Sequence, residues 1–172
     1  MINEFKKRRS IRKYKDKPVE KNKLDLILEN ALISPTSRNR KPWEFILITD
    51  KNILLKLSQS KQHGSSFAKD APAAIVIISD KDKSDVWIED TTIAAYTIQL
   101  SAFILGLGTC WIQVRNRMKS DSESTEDFLR KALNIPENYH VECIISIGYN
   151  DEDKEEYTKN NMDFSKIHYN TF

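Results

Sequence analysis

Residues 86–105, VWIEDTTIAAYTIQLSAFIL, constrain the fold more than any other stretch of the chain. They carry the strongest helical signal and are apolar nearly all round. A helix with one apolar stripe needs one neighbour, whereas a helix apolar on every side must be covered on every side. A chain of 172 residues has little material to do that alone. The helix is therefore expected either at the buried centre of the fold or packed in a subunit interface. A membrane span does not fit. The longest apolar run, Ile93 to Leu107, includes Thr97, Gln99 and Ser101 and falls short of the ~20 residues a bilayer requires.

The other elements are arranged around this helix. APAAIVIIS (71–79) is a continuous apolar run, the pattern of a strand covered on both faces. WEFILI (43–48) reads as a buried strand, with TCWIQV (109–114) and VECIISIGY (141–149) as two more. Helical spacing follows Pro18, with Leu24, Ile27, Leu28, Ala31 and Leu32 on one face, and Pro35 stops it. Residues 51–59 and 123–133 suit further helices, and residues 2–8 a short basic one. No linker or repeat divides the chain, so one domain over residues 1–172 is expected. Four strands interleaved with helices imply α/β or α+β, with helices on both faces of one sheet.

Composition removes several function classes. Four glycines, Gly64, Gly106, Gly108 and Gly148, cannot form a G-x-G-x-x-G or P-loop motif in any register. Two cysteines without C-x-x-C spacing rule out a disulfide scaffold or a cysteine zinc site, and fit a reducing cytosol. The start, MINEFKKRRS, has no apolar core of a signal peptide, so a cytoplasmic protein is expected. His63, His140 and His168 are scattered and suggest neither a triad nor a metal site. Charge is unevenly placed. Residues 1–41 hold 13 cations and 5 anions, a balance of +8, and the remainder is −6. The front of the chain thus asks for an anion. A nucleic-acid arm is disfavoured by the lack of interleaved aromatics and the near-neutral total of +2.

Three clusters could carry chemistry. In Arg8-Arg9-Ser10-Ile11-Arg12, an extended backbone projects Ser10 and Arg12 to one side. Arginine forks match phosphate oxygens bidentately, although a solvated basic terminus would look the same. Ser34-Pro35-Thr36-Ser37-Arg38-Asn39 offers hydroxyls and an amide, or is simply a turn. Gly106-Leu107-Gly108 follows the apolar helix, where one glycine could be a C-cap and the second implies a close approach. Glu89 and Asp90 read as structural acids at a helix start.

In this order, RRSIRKY, SPTSRNRKPWEF, DAPAAIVI, EDTTIAAYTIQLSAFILGLGTCW and NIPENYHVECIISIGY resemble a small member of the nitroreductase family, over about residues 5–150. The resemblance implies an α+β fold: a mixed central β-sheet wrapped by helices, in an intertwined homodimer. It implies FMN at the subunit interface, reduced by NAD(P)H and reoxidised by nitroaromatic, quinone or similar acceptors. Arg8, Arg9, Ser10 and Arg12 would then hold the phosphate and ribityl chain, with Arg12, and Lys69 second, beside flavin N1 and O2. Pro35, Thr36, Ser37, Arg38 and Asn39 would reach the flavin of the other subunit. Gly106, Leu107 and Gly108 would lie beside its ring, with a backbone N–H addressing N5. The charged tail from about residue 151 would cross the dimer, with Lys159 or Lys154 on the phosphate. The chain departs from the family pattern at Arg38-Asn39-Arg40-Lys41, unusually basic, and at Gln113, where many relatives have glycine. These departures, and a short chain, leave a flavin-sequestering protein without efficient turnover as the alternative.

Overall fold

A computed structural model describes residues 2–172, with side chains from Glu4 onward. Its helices are α1 (Lys21–Leu32), α2 (Lys51–Ser58), α3 (Trp87–Ile104) and α4 (Thr125–Leu133). Its strands are β1 (Trp43–Ile48), β2 (Ala73–Asp80), β3 (Gly108–Gln113) and β4 (Tyr139–Gly148), with short 3-10 turns between. The sheet order is β1-β2-β4-β3, and every neighbouring pair is antiparallel. The expected mixed character is confined to one isolated parallel bridge, Ser10 with Thr109.

β2 lies at the centre and is buried along almost its whole length. Strand alternation sends Ala73, Ile75 and Ile77 to one face, where they meet Leu24, Ile27 and Ala31 of α1 and Ala95, Ile98 and Ala102 of α3. Ala74, Val76 and Ile78 go to the other face, against Leu54 and Leu57 of α2 and Leu129 of α4. Helices on both faces make this an α+β fold. β1 is not the buried strand its composition suggests. It is a sheet edge with one neighbour, so Glu44 is exposed and Phe45 to Leu47 are half-buried. α1 starts at Lys21, three residues after Pro18, and Leu32 at its end is exposed.

α3 answers the opening expectation in part. Ala94, Ala95, Ile98 and Ala102 are buried against the sheet. Ile93, Tyr96 and Ile104 face outward, the last 68% exposed. One chain thus covers only one side of this apolar helix.

Register breaks once inside the sheet. Ile77 pairs with Cys143 and Ile78 with Val141, so Glu142 is the extra residue of a β-bulge. Its carboxylate is almost fully buried, 3.3 Å from Arg115 Nε. Burial raises the Glu142 pKa, with Arg115 opposing.

Candidate functional site

The basic segment is built into the fold by its backbone. Ile11 N–H donates to the Thr109 carbonyl at 2.9 Å, beside the start of β3. Asp151 N–H donates to Lys13 O, and Lys15 N–H to Tyr149 O, so the chain leaving β4 flanks it on the other side. Ile11 and Tyr14 are buried anchors. The Tyr14 hydroxyl reaches Ile11 O at 2.6 Å and Ser146 Oγ at 2.7 Å, and burial raises its pKa above the ordinary phenol value.

With these anchors in place, Ser10 bridges Thr109 at the start of β3, and Arg8 lines a small cavity with Gly108 and Thr109; burial raises the Cys110 pKa and Arg12 lowers it. Among the described residues neither Arg8 nor Arg12 has a carboxylate within ion-pair distance of its guanidinium. Arg12 lies 5.8 Å from the centroid of the Phe67 ring. Two free guanidiniums and a hydroxyl on one strand are a donor set for a phosphate, and an FMN phosphate fits it.

A further residue supports this arrangement without having been signalled by any motif. Glu152 Oε1 accepts from Arg12 N–H at 2.6 Å and Lys13 N–H at 3.3 Å, while Oε2 meets Lys154 Nζ at 2.8 Å. These donors hold its carboxyl below the ordinary range. Lys61 is half-buried, and burial and Arg117 lower its pKa.

Arg9 does something else. Its Nη1 donates to the Glu155 carbonyl and its guanidinium stacks 4.4 Å from the Tyr157 ring centroid. It fastens the tail while lining the same small cavity as Arg8. Lys154 lines a small cavity of about 130 Å³ with Arg8, Arg9 and Gly108, whereas Lys159 sits on an exposed arm away from it. Lys69 lines a different, larger groove with Lys15, Lys51 and Pro72.

Gly106-Leu107-Gly108 closes α3. Gly106 has φ 76°, its N–H donates to Phe103 O, and Leu107 N–H donates to Ala102 O. This pair of bonds is a Schellman cap. It uses the N–H groups of Gly106 and Leu107. Gly108 is required for a separate reason. A Cβ there would lie 2.0 Å from Asn150 Oδ1 and 2.8 Å from Ile11 Cβ.

The third cluster is elsewhere. Ser37 N–H donates to Asp90 Oδ1 at 2.9 Å, in the first turn of α3. The glycines follow the last turn of the same 18-residue helix, which is about 27 Å long at 1.5 Å per residue. Pro35 to Asn39 therefore cannot share a mononucleotide with Arg8 and Arg12 of their own chain. Arg38, Asn39 and Lys41 all have positive φ, near 50°. Arg40 is not a surplus cation, because it pairs with Asp85 at 2.5 Å. The histidines stay outside. His140 stacks on Trp87 with ring centroids 5.1 Å apart, and His63 and His168 are exposed.

The whole chain is matched by known proteins. An FMN-dependent nitroreductase from Clostridium difficile R20291 superposes with a TM-score of 0.97 at 56% identity, over 100% of both chains. A protein of Archaeoglobus fulgidus named for NADH dehydrogenase/NAD(P)H nitroreductase activity is 36% identical, over 87% of this chain and 85% of its own. One of the same name from Methanothermobacter thermautotrophicus is 32% identical over 98% of this chain and 85% of its own. The nitroreductase family model matches residues 5–64 and 55–149, which contain the arginine segment, the Ser34–Asn39 loop, α3 and β3. By fold, by segment order and by these matches, the chain belongs to the nitroreductase family.

Proposed function

We propose that this chain is an FMN-dependent oxidoreductase that passes hydride from NAD(P)H to nitroaromatic, quinone or similar acceptors. The observation that carries the reading is the pair of unpaired guanidiniums, Arg8 and Arg12, gathered with Ser10 beside β3. The FMN named for the 56% identical Clostridium difficile neighbour supports the same cofactor. When bound, FMN would supply the hydride chemistry itself. The chain's own residues bind and orient it. Arg8, Ser10 and Arg12 hold the anionic end; Lys154, which lines the cavity beside Arg8, is paired with Glu152. Such a site needs no protein nucleophile.

The working unit is a homodimer. Residues 158–172 are exposed throughout, although they include Met162, Phe164, Ile167, Tyr169 and Phe172. An arm this apolar needs a surface that its own body does not offer. The outer side of α3 and Phe5 present one, with a cavity of about 370 Å³ between Phe5, Leu100 and Ile104. β3 is also an open edge beyond its bridge to Ser10, ready to pair with an added strand. A second copy would bring its Ser34–Asn39 loop to the site that the first chain's own loop cannot reach. Of the cations that motivated the sequestering alternative, Arg40 is paired with Asp85.

Equilibrium titration of flavin-free protein with FMN tests the cofactor. Saturable binding is expected, with one site per chain. Absence of binding at excess FMN would remove the proposal.

A further inference from the structure

We infer that Asp90 is a positioning residue that sets the Ser34–Asn39 loop for the flavin site of the second copy; this rests on the FMN-binding homodimer proposed above. Its carboxylate is 2% exposed. Oδ1 accepts from Ser37 N–H at 2.9 Å and Oδ2 accepts from Ser84 Oγ–H at 2.9 Å. Capping alone does not explain this placement. The carboxylate reaches 53 residues back along the chain instead of binding the first N–H groups of α3.

The loop it holds is one that would not keep its shape unaided. Left-handed backbone at Arg38, Asn39 and Lys41 is unfavourable for residues with side chains, and persists only where surroundings over-determine it. Asp90 fixes one end of the turn, Arg40 with Asp85 fixes the other, and Thr36 Oγ1 accepts from Lys41 N–H within it. A separate observation points outward. Ser34, 5% exposed at the foot of the loop, has a hydroxyl with no hydrogen-bond partner. A buried hydroxyl without a partner is costly. The loop is thus held rigid with one polar group still to be satisfied, as expected of a surface completed by a ligand.

FMN affinity, measured by fluorescence titration of flavin-free protein, tests the inference. A charge-assisted bond is worth about 10- to 100-fold in affinity, so Asp90→Ala is expected to weaken FMN binding by that factor. Asp90→Asn keeps an acceptor for Ser37 and should bind FMN more tightly than Asp90→Ala. Ser84→Ala, which leaves Asp90 in place, should cost about fivefold. Co-purified mixed dimers of Asp90→Ala with Arg8→Ala/Arg12→Ala chains should regain one tight site per dimer, because one site then receives both intact parts.

Unchanged affinity in Asp90→Ala with a lowered melting temperature would overturn the inference, reducing Asp90 to a structural acid. Equal affinity of Asp90→Asn and Asp90→Ala, or mixed dimers without a tight site, would overturn it too. Should Asp90→Ala fail to fold, wild-type affinity in Ser84→Ala decides against it. Wild-type protein that binds no FMN would instead overturn the proposed function, and this inference with it.

Discussion

Arg8 and Arg12 flank Ser10 in sequence, and neither guanidinium has a carboxylate within ion-pair distance among the described residues. Each charge-assisted contact is worth about 1.5–3 kcal/mol, so Arg8→Ala and Arg12→Ala should each weaken FMN binding by that amount, read by titration. Arg9→Ala is expected to loosen the tail instead, since its partners are Glu155 and Tyr157. Glu152 carries a pH prediction. Its folded pKa lies below the ordinary 4.5 because backbone N–H of Arg12 and the Lys154 amine favour the carboxylate. A depressed acid contributes stability above its unfolded pKa and loses it as pH falls toward the folded value. The melting-temperature advantage of wild type over Glu152→Gln should therefore be full near neutrality and shrink on acidification through 4.5. Alternation in an extended strand made Ser10 and Arg12 legible as one face. What Arg9, Lys61 and Asp90 touch was not legible, because their partners come from distant segments that no local pattern reports. Asp90 carries the sharpest case, since a helix-start acid and an anchor for Ser37 look identical in sequence.

At the scale of elements, the turn from α3 into β3 joins the fold to the site. Gly108 lets Ile11 pack against the start of the strand, and Ile11 in turn places Ser10 and Arg12. Gly108→Ala would push a methyl group into Asn150 and Ile11. Overpacking of this kind costs about 1–3 kcal/mol, and FMN affinity should fall along with thermal stability. The bulge at Glu142 makes the opposite kind of case. Removing one partner of a buried ion pair strands the other, so Arg115→Ala should destabilise by about 2–3 kcal/mol in chemical denaturation. Glu142→Gln should be near neutral, because burial disfavours the Glu142 carboxylate and the partly exposed Arg115 guanidinium keeps its water. All four strands and all four helices were visible in periodicity and in proline placement. Edge and centre were not, because WEFILI and APAAIVIIS are both apolar runs. Only pairing reveals that β1 has one neighbour and β2 has two. The second glycine of the Gly106-Leu107-Gly108 turn was rightly read as a close approach, though the approaching group is Ile11 and Asn150.

For the molecule as a whole, α3 separates the arginine end from the Ser34–Asn39 loop, which stand at opposite ends of a helix about 27 Å long. On the function proposed above, the two would join in one site only across two chains. Deleting residues 158–172 should remove the arm while leaving the described core contacts intact. The truncated protein is expected to lose dimer on light scattering and FMN on gel filtration together. An intact dimer holding flavin after this deletion would show that the arm is dispensable. The front-loaded charge is partly accounted for at this scale. Arg9, Lys17, Lys21 and Arg40 are engaged by neighbours, whereas Arg8 and Arg12, like Lys6, Lys13, Lys15, Arg38 and Lys41, have no ion-pair partner among the described residues. The most direct test of the central claim is anaerobic mixing of the FMN-loaded protein with NADH and with NADPH, followed by the flavin's visible absorbance. The account predicts rapid bleaching by at least one nicotinamide and recovery of colour on adding a quinone or nitroaromatic acceptor. Bound flavin that stays oxidised with both nicotinamides would contradict it.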